Sequence, residues 1–445
     1  MTATTVTTEI LVTHKTILRI VLRCVTTIAG LSLLAKGVGF LRDAASASIF
    51  GTGDAMDAYV LALSVPNLIA GLSGDAVPTA LIPAYAKAKH SQGVKAAAKV
   101  VANGIFLQSA LVAGVCLVLA LISSSLINAL AGDFSASKTE LSRELFMLLL
   151  LFTLLLSISQ VVAAALQAEK KFTLAAVSPT LIPVVAIIAL FTLNGSVGVF
   201  SLAIGLVAGS MVHLGVLLTG AVRQHGAECL VPDLRAKDSK RLLGNSMLLL
   251  LGGAIFGGCV MIDIAVASRL PAGTVATFGY ADKVLGIVLS LAGVALGQAL
   301  LPYLSEMHAS SDHSGFRKTG LKLAWVVTLI TLPLVLLFWV AAGPITQLLF
   351  QRGEFGPTET AHVAHALRWG SLQFPAAALG IIASRMVIAA GKVRYMCLVS
   401  LVALIANLML DITLAPLFGL AGILVATAAV HSISAFLLFL KIPRS

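Results

Sequence analysis

AKGVGFLRDAASASIFGTGDAMDAYVLALSVPNLIAGLSGDAVPTALIPAYAKAKH, residues Ala35–His90, is the stretch whose reading decides the fold. It is apolar for most of its length, yet Lys36, Arg42, Asp43, Asp57, Asn67 and Asp75 interrupt it. The apolar runs have helical length and lack ten-residue alternating segments, so they read as membrane helices rather than the strands of a β-barrel. A charge at bilayer mid-depth costs about 2.5–3.5 kcal/mol even on the lenient insertion scale. The charged residues of this stretch therefore line a hydrated cavity or sit at the water boundary.

The rest of the chain supports a bilayer setting. Of 445 residues, 58% are hydrophobic and 11% charged, and mean hydropathy is +1.01. Soluble domains carry about 25% charged residues. At ~20 apolar residues per helix there is room for roughly twelve spans. They are expected at 18–50, 55–86, 96–131, 140–168, 172–194, 197–223, 240–269, 274–308, 318–348, 358–390, 394–416 and 419–441. The fold class is then all-α and polytopic, preceded by a polar, Thr-rich tail over 1–17. That tail has no short apolar core or cleavage site and does not read as a secretory signal.

Charge sets the orientation. With the N-terminus inside, the cytoplasmic connections and the C-terminal tail carry eighteen Lys and Arg residues, among them Lys87, Lys89, Lys170, Lys171, Arg223, Lys318 and Lys392. The outer connections carry four, Lys138, Arg143, Arg269 and Arg352. This asymmetry places both termini in the cytoplasm. It also accounts for the net charge of +11 without a nucleic-acid partner. Cys24, Cys116, Cys229, Cys259 and Cys397 are scattered, without metal-ligand or disulfide spacing.

The chain repeats itself. Gly74–Tyr85, GDAVPTALIPAY, matches Gly293–Leu304, GVALGQALLPYL, at an offset of 219. Lys170–Ser178 echoes Lys392–Ser400 at an offset of 222. Six spans separate the copies, an even number, so the halves are parallel repeats. An N-lobe over 18–223, a cytoplasmic linker over 224–239 and a C-lobe over 240–441 are expected around a central cavity, the usual plan for alternating access.

The ionisable residues concentrate on the first two spans of each half. The second half contributes Asp263, Asp282, Lys283, Arg385 and Asp411. Arg42 and Lys36 lie six apart, about 9 Å along a helix axis. Their guanidinium and ammonium, with Lys283 and Arg385 opposite, suit a phosphate-rich headgroup. Asp43, Asp57, Asp75 and Asp282 either neutralise these cations or bind a coupling ion. Pro66–Asn67 is expected to break the second span's hydrogen-bond ladder and present an amide there. In LFQRGEFGPTETAHVAHALRW, His362, His365 and Arg368 recur every three residues on one face, without a third strong metal ligand. No P-loop, Ser/His/Asp set or zinc motif is present, so neither ATP-driven transport by this chain nor enzymatic chemistry is expected.

Three segments together resemble the MurJ/MviN family of lipid II flippases, within the superfamily of multidrug and polysaccharide-lipid exporters. They are GFLRDAASASIFGTGDAMDAYVLALSVPNL, YADKVLGIVLSLAGVALGQALLPYLS and LFQRGEFGPTETAHVAHALRW. The resemblance implies movement of a polyprenyl-diphosphate-linked peptidoglycan precursor across the bacterial inner membrane. It implies no cofactor, but drive by membrane potential or by an H+ or Na+ gradient. The implied partners are the lipid-linked glycan, membrane lipids and cell-wall synthesis proteins. By the same resemblance, Lys36, Arg42, Asn67 and Lys283 are substrate-binding candidates, joined by Arg385 on its charge alone, and Asp43, Asp57, Asp75 and Asp282 gate or balance charge. The sequence departs from the family at Ala70, where an arginine is usual, and at Gly286, where a glutamate is usual. It also ends near span 12, where many members continue into two further helices. Another lipid-linked oligosaccharide, a multidrug/ion antiport role and a non-transporting scaffold are the competing readings.

Overall fold

The computed structural model describes residues 34–169, 171–232, 257–309, 313–390 and 392–442. Within them the side chains of 73–80 and 291–303, among others, are not described, and Asp75 is one of these. Every regular element among the described residues is helical. In chain order they are α1 over 34–50, α2 Asp54–Gln92, α3 Val94–Leu121, α4 Ser123–Ala131, α5 Ala136–Ala168, α6 Phe172–Val177, α7 Leu181–Val197 and α8 Phe200–His225. Then follow α9 Gly257–Ala267, α10 Thr274–Ala309, α11 His313–Phe350, α12 Pro357–Ser371, α13 Gln373–Ala389, α14 Val393–Phe418 and α15 Leu420–Leu440.

Eight of the described helices are long and apolar enough to cross a membrane, and nine if α12 and α13, bent by 41° at their junction, form one broken span. The first and seventh of the twelve expected spans fall partly on residues outside the description. At 39 residues α2 is about 58 Å long. That exceeds a ~30 Å hydrocarbon core, so α2 tilts or projects into water. Its ends suit its dipole, with Asp54 and Asp57 in the first turn and Lys89 and His90 in the last. Pro66 does not break it. The helix runs on through the proline, whose missing N–H interrupts one backbone bond only.

By contacts the chain forms two compact units, and the division runs through α1, α2, α3 and α5. One unit contains α1 up to Arg42, Ser73–Leu117, and the chain from Leu150 on to α8. Its core is built from small residues, with Ala97, Ala98, Ala164, Ala165 and Ala221 packed around buried Leu81 and Tyr85. The Tyr85 hydroxyl, Lys89 and Gln224 all meet the Glu169 carboxylate at the edge of this core.

Close helix contact in this unit depends on Gly205 and Gly209 of α8. A Cβ at Gly205 would lie 2.6 Å from the Ala186 Cα, and one at Gly209 2.8 Å from the Ile182 Cα. The pair is a small-xxx-small seam that lets α7 and α8 touch backbone to backbone. Gly209→Val is expected to force them apart and destabilise the protein by about 1–3 kcal/mol. A lowered midpoint of thermal unfolding in detergent would register this, and an unchanged midpoint would rule it out.

The second unit holds Asp43–Leu72, Val118–Leu149 and helices α9 to α15. Segments from early in the sequence thus pack with its second half. An aromatic knot anchors the corner between α10 and the end of α11, where the Tyr280 ring lies 5.2 Å from Phe350 and 5.5 Å from Phe355. The repeat copies occupy comparable places. Gly74–Tyr85 lies in the later part of α2 and Gly293–Leu304 in the later part of α10. Their last residues, Tyr85 and Leu304, are both fully buried, each in the core of its own unit.

Candidate functional site

The second unit contains a cavity of about 270 Å³. Its polar lining is Asp43, Ser64, Asn67, Asp282 and Lys283, set among Met56, Leu63, Val60, Ile264, Phe278 and the rings of Tyr59 and Tyr280. Asp43 comes from α1, Asn67 from α2, and Asp282 and Lys283 from the third turn of α10. Lys283 Nζ stands 3.3 Å from Asp43 Oδ2, and both side chains keep some contact with solvent. The pair holds two of the expected site residues in one charge-balanced contact, and Asp282 leaves the lining with one carboxylate more than ammonium.

The structure does not bring all the candidates to this cavity. Arg385, on α13, does not line it, and the Arg385 Nε is buried without a hydrogen-bond partner. Lys36 and Arg42 belong to the other compact unit, Lys36 exposed and Arg42 half-buried. Ala70 is buried. A Cβ at Gly286 would meet no atom within 4 Å, so that position has room for a side chain.

Asp57 does something more specific. It is 1% exposed. Its Oδ2 accepts the Gly273 N–H at 2.7 Å, and its Oδ1 accepts the Ala276 N–H at 2.6 Å. These are free donors at the start of α10, so the carboxylate of one helix caps the N-terminus of another, where the helix dipole favours an anion. The ammonium of Lys138, itself 6% exposed, reaches Asp57 at 2.6 Å and Asp54 at 2.7 Å and lies 4.0 Å over the Phe134 ring. Gly273 has φ +85, and a Cβ there would stand 2.7 Å from the Thr52 carbonyl oxygen, so the position requires glycine twice over.

More contacts seal the same end of the unit. The Glu354 N–H donates to the Ser48 carbonyl at 2.9 Å, and the Tyr280 hydroxyl donates to the Gly51 carbonyl at 3.1 Å. The Ser268 hydroxyl donates to the Leu130 carbonyl at 2.6 Å. Four connections, around 51–53, 132–135, 268–273 and 353–356, are thus stitched together. The acceptors on the 48–51 and 130 segments are backbone carbonyls, which no side-chain pattern announces. Lys138 is visible in sequence only as a loop cation.

A second polar cluster lies inside the unit where α9, α14 and α15 meet. The Asn407 amide donates to Asp263 Oδ1 at 2.7 Å and to Asp411 Oδ2 at 3.0 Å. The Thr427 hydroxyl stands 3.5 Å from Asp263 Oδ2. Asp263, Asn407 and Asp411 are buried, and the Asp411 Oδ1 and Asn407 Oδ1 atoms have no hydrogen-bond partner. Two carboxylates in such contact cannot both carry unbalanced charge in an apolar interior. A shared proton or a cation would balance them, and hard monovalent or divalent ions prefer such oxygens. No cluster of three or more His, Cys, Asp or Glu side chains with metal-binding geometry occurs among the described residues.

An all-helical, multi-pass membrane protein, with a polar internal cavity and a hydrogen-bonded seal at one end, is built as a membrane carrier. Comparison with known proteins makes the family specific. The chain belongs to the lipid II flippase MurJ family, whose family model matches residues 46–445. A curated relative from Burkholderia cenocepacia, named lipid II flippase MurJ, is 27% identical over 440 residues, covering 95% of this chain and 84% of that protein. A solved structure of lipid II flippase MurJ in an inward closed conformation superposes with a TM-score of 0.80 at 19% identity, over 93% of this chain and 87% of that one. An inward-facing MATE-family multidrug resistance transporter superposes with a TM-score of 0.75 at 16% identity, over 92% of each chain.

Proposed function

We propose that this protein is an alternating-access carrier that moves lipid II, the polyprenyl-diphosphate-linked precursor of peptidoglycan, across the bacterial inner membrane. Its work is translocation and not covalent chemistry. The observation that carries the reading is the polar cavity of Asp43, Asn67, Asp282 and Lys283 within apolar helices, in a chain of this family. The headgroup passes through hydrated space while the prenyl tail stays in lipid. Asp57 and Lys138 hold the extracytoplasmic gate, and both termini are cytoplasmic, as the loop charges favour. The Asp263–Asn407–Asp411–Thr427 cluster binds the coupling ion, H+ or Na+. Membrane lipids and cell-wall synthesis proteins surround the carrier.

Arg42 and Lys36, on α1 before Asp43, supply the cations for the diphosphate. Reconstitution into liposomes with fluorescent lipid II tests this. Arg42→Ala is expected to cut flipping by about a hundredfold, because an arginine–phosphate contact is charge-assisted and bidentate. The purified variant should unfold at the wild-type temperature. Flipping at the wild-type rate would remove Arg42 from the substrate path.

A further inference from the structure

Neither the cavity, the gate nor the acidic cluster uses the His362–His365–Arg368 face. α12 turns back along the end of α11, and between them opens a cleft of about 480 Å³. Gln347 of α11, Gln351 just past its end, and Thr360 and Arg368 of α12 supply its polar lining, over Gly343 and Pro344. Arg368 is its one charged residue. The Arg368 Nε is buried and has no hydrogen-bond partner. Such orphaned donors are rare in native proteins and point to a missing acceptor.

The neighbours also offer donors. The Thr360 hydroxyl approaches Gln351 Oε1 at 3.3 Å, which leaves the Gln351 amide N–H groups free for another acceptor. Glu359, the nearby carboxylate on α12, is turned to its own helix start, where its Oε2 accepts the Gly356 N–H at 2.8 Å. A guanidinium fork beside amide donors, with no carboxylate in the lining, fits a phosphate oxygen pair.

The surroundings identify the phosphate's carrier. Leu336, Val340, Pro344 and Leu348 follow one another every four residues, so they form a single ridge along α11. Leu336 is 66%, Val340 74% and Leu348 73% exposed, and Pro344 lines the cleft itself. The ridge of an apolar membrane helix therefore leads directly to the cation. Trp339 and Trp369 pair beside it with ring centroids 5.3 Å apart, and tryptophans favour the headgroup level of a bilayer.

We propose that the α11–α12 cleft binds the phosphodiester headgroup of an anionic phospholipid through Arg368, Gln347 and Gln351, with the acyl chains on the Leu336–Leu348 ridge. The site is separate from the transport cavity and stands whether or not lipid II is the cargo. The test uses the delipidated full-length protein in detergent, titrated separately with phosphatidylglycerol, phosphatidylcholine and inorganic phosphate, and read by native mass spectrometry and thermal unfolding. Saturable binding of phosphatidylglycerol is expected, at least about tenfold tighter than either other ligand. Arg368→Gln should weaken it about tenfold or more. Gln347→Leu, on the opposite wall, should weaken it in the same direction and guards against misfolding of the first variant. Arg352→Gln should leave it unchanged, since that exposed guanidinium caps α11 on the Leu348 and Leu349 carbonyls and does not line the cleft. Wild-type phosphatidylglycerol binding by both Arg368→Gln and Gln347→Leu would overturn the proposal. So would inorganic phosphate binding as tightly as phosphatidylglycerol, which would make the cleft a site for free anions.

Discussion

Asp57→Ala is expected to abolish transport and unseal the closed end of the second unit. The variant loses two charge-assisted bonds at the start of α10, to the Gly273 and Ala276 N–H groups. It also strands Lys138, a 6% exposed ammonium, with the more exposed Asp54 as its remaining carboxylate and the Phe134 ring beneath it. Removing one member of a buried ion pair costs about 3–5 kcal/mol, because the remaining charge stays desolvated. A shift of that size moves a two-state equilibrium by a factor of about 100 or more. Lys138→Ala should do less, since the Asp57 carboxylate keeps both backbone donors. A cysteine placed at Ser268, which is 1% exposed beside Leu130, reports the change. In a background without native cysteines, a membrane-impermeant maleimide should label it about a hundredfold faster when Asp57 is alanine. Labelling at the wild-type rate in a folded variant would show that Asp57 does not hold the gate.

The second large effect is expected at Asp411. Asp411→Asn removes one of two buried carboxylates held on the same Asn407 amide. A proton or cation at the site then faces one carboxylate, Asp263, in place of two. Burial of like charge is relieved, so the variant should fold at least as stably as wild type. Coupling should be lost: transport falls to about 1% or less and no longer responds to an imposed Na+ or pH gradient. A ligand that binds only the folded state raises the unfolding temperature, so whichever of Na+ or H+ is bound should stabilise the wild type and not the variant. Asp411→Asn with wild-type transport and unaltered gradient dependence would move the coupling site elsewhere. Asp263→Ala should be worse for stability, because it takes from the Asn407 amide its shortest buried acceptor, at about 1–3 kcal/mol.

The fold was legible because a bilayer punishes polar backbone and polar side chains alike. Helix-length apolar runs and charged connections suffice to place most of the elements. Asp57 was legible as a costly residue in an apolar stretch. Its role was not, because its partners are backbone N–H groups 216 and 219 residues away. Asp411 was legible as an ionisable residue in an apolar run, but Asn407, four residues before it on the same face, was not singled out, because a lone amide in an apolar helix gives no such signal. Only the fold brings Asp263 and Thr427 to them. Gly205 and Gly209 carry a readable spacing, but their partner, α7, is named only by packing. The ion pair of Lys283 with Asp43 joins residues from the two halves of the sequence, and only the packing of 43–72 with the second half makes it visible.

The central claim is that a gated polar cavity in this chain carries lipid II. Complementation of a bacterial strain depleted of its own lipid II flippase tests it most directly. The wild-type chain is expected to restore growth and cell shape. Asp57→Ala, present in the membrane at the same level, is expected not to. Failure of the wild-type chain to rescue, or full rescue by Asp57→Ala, would contradict the account.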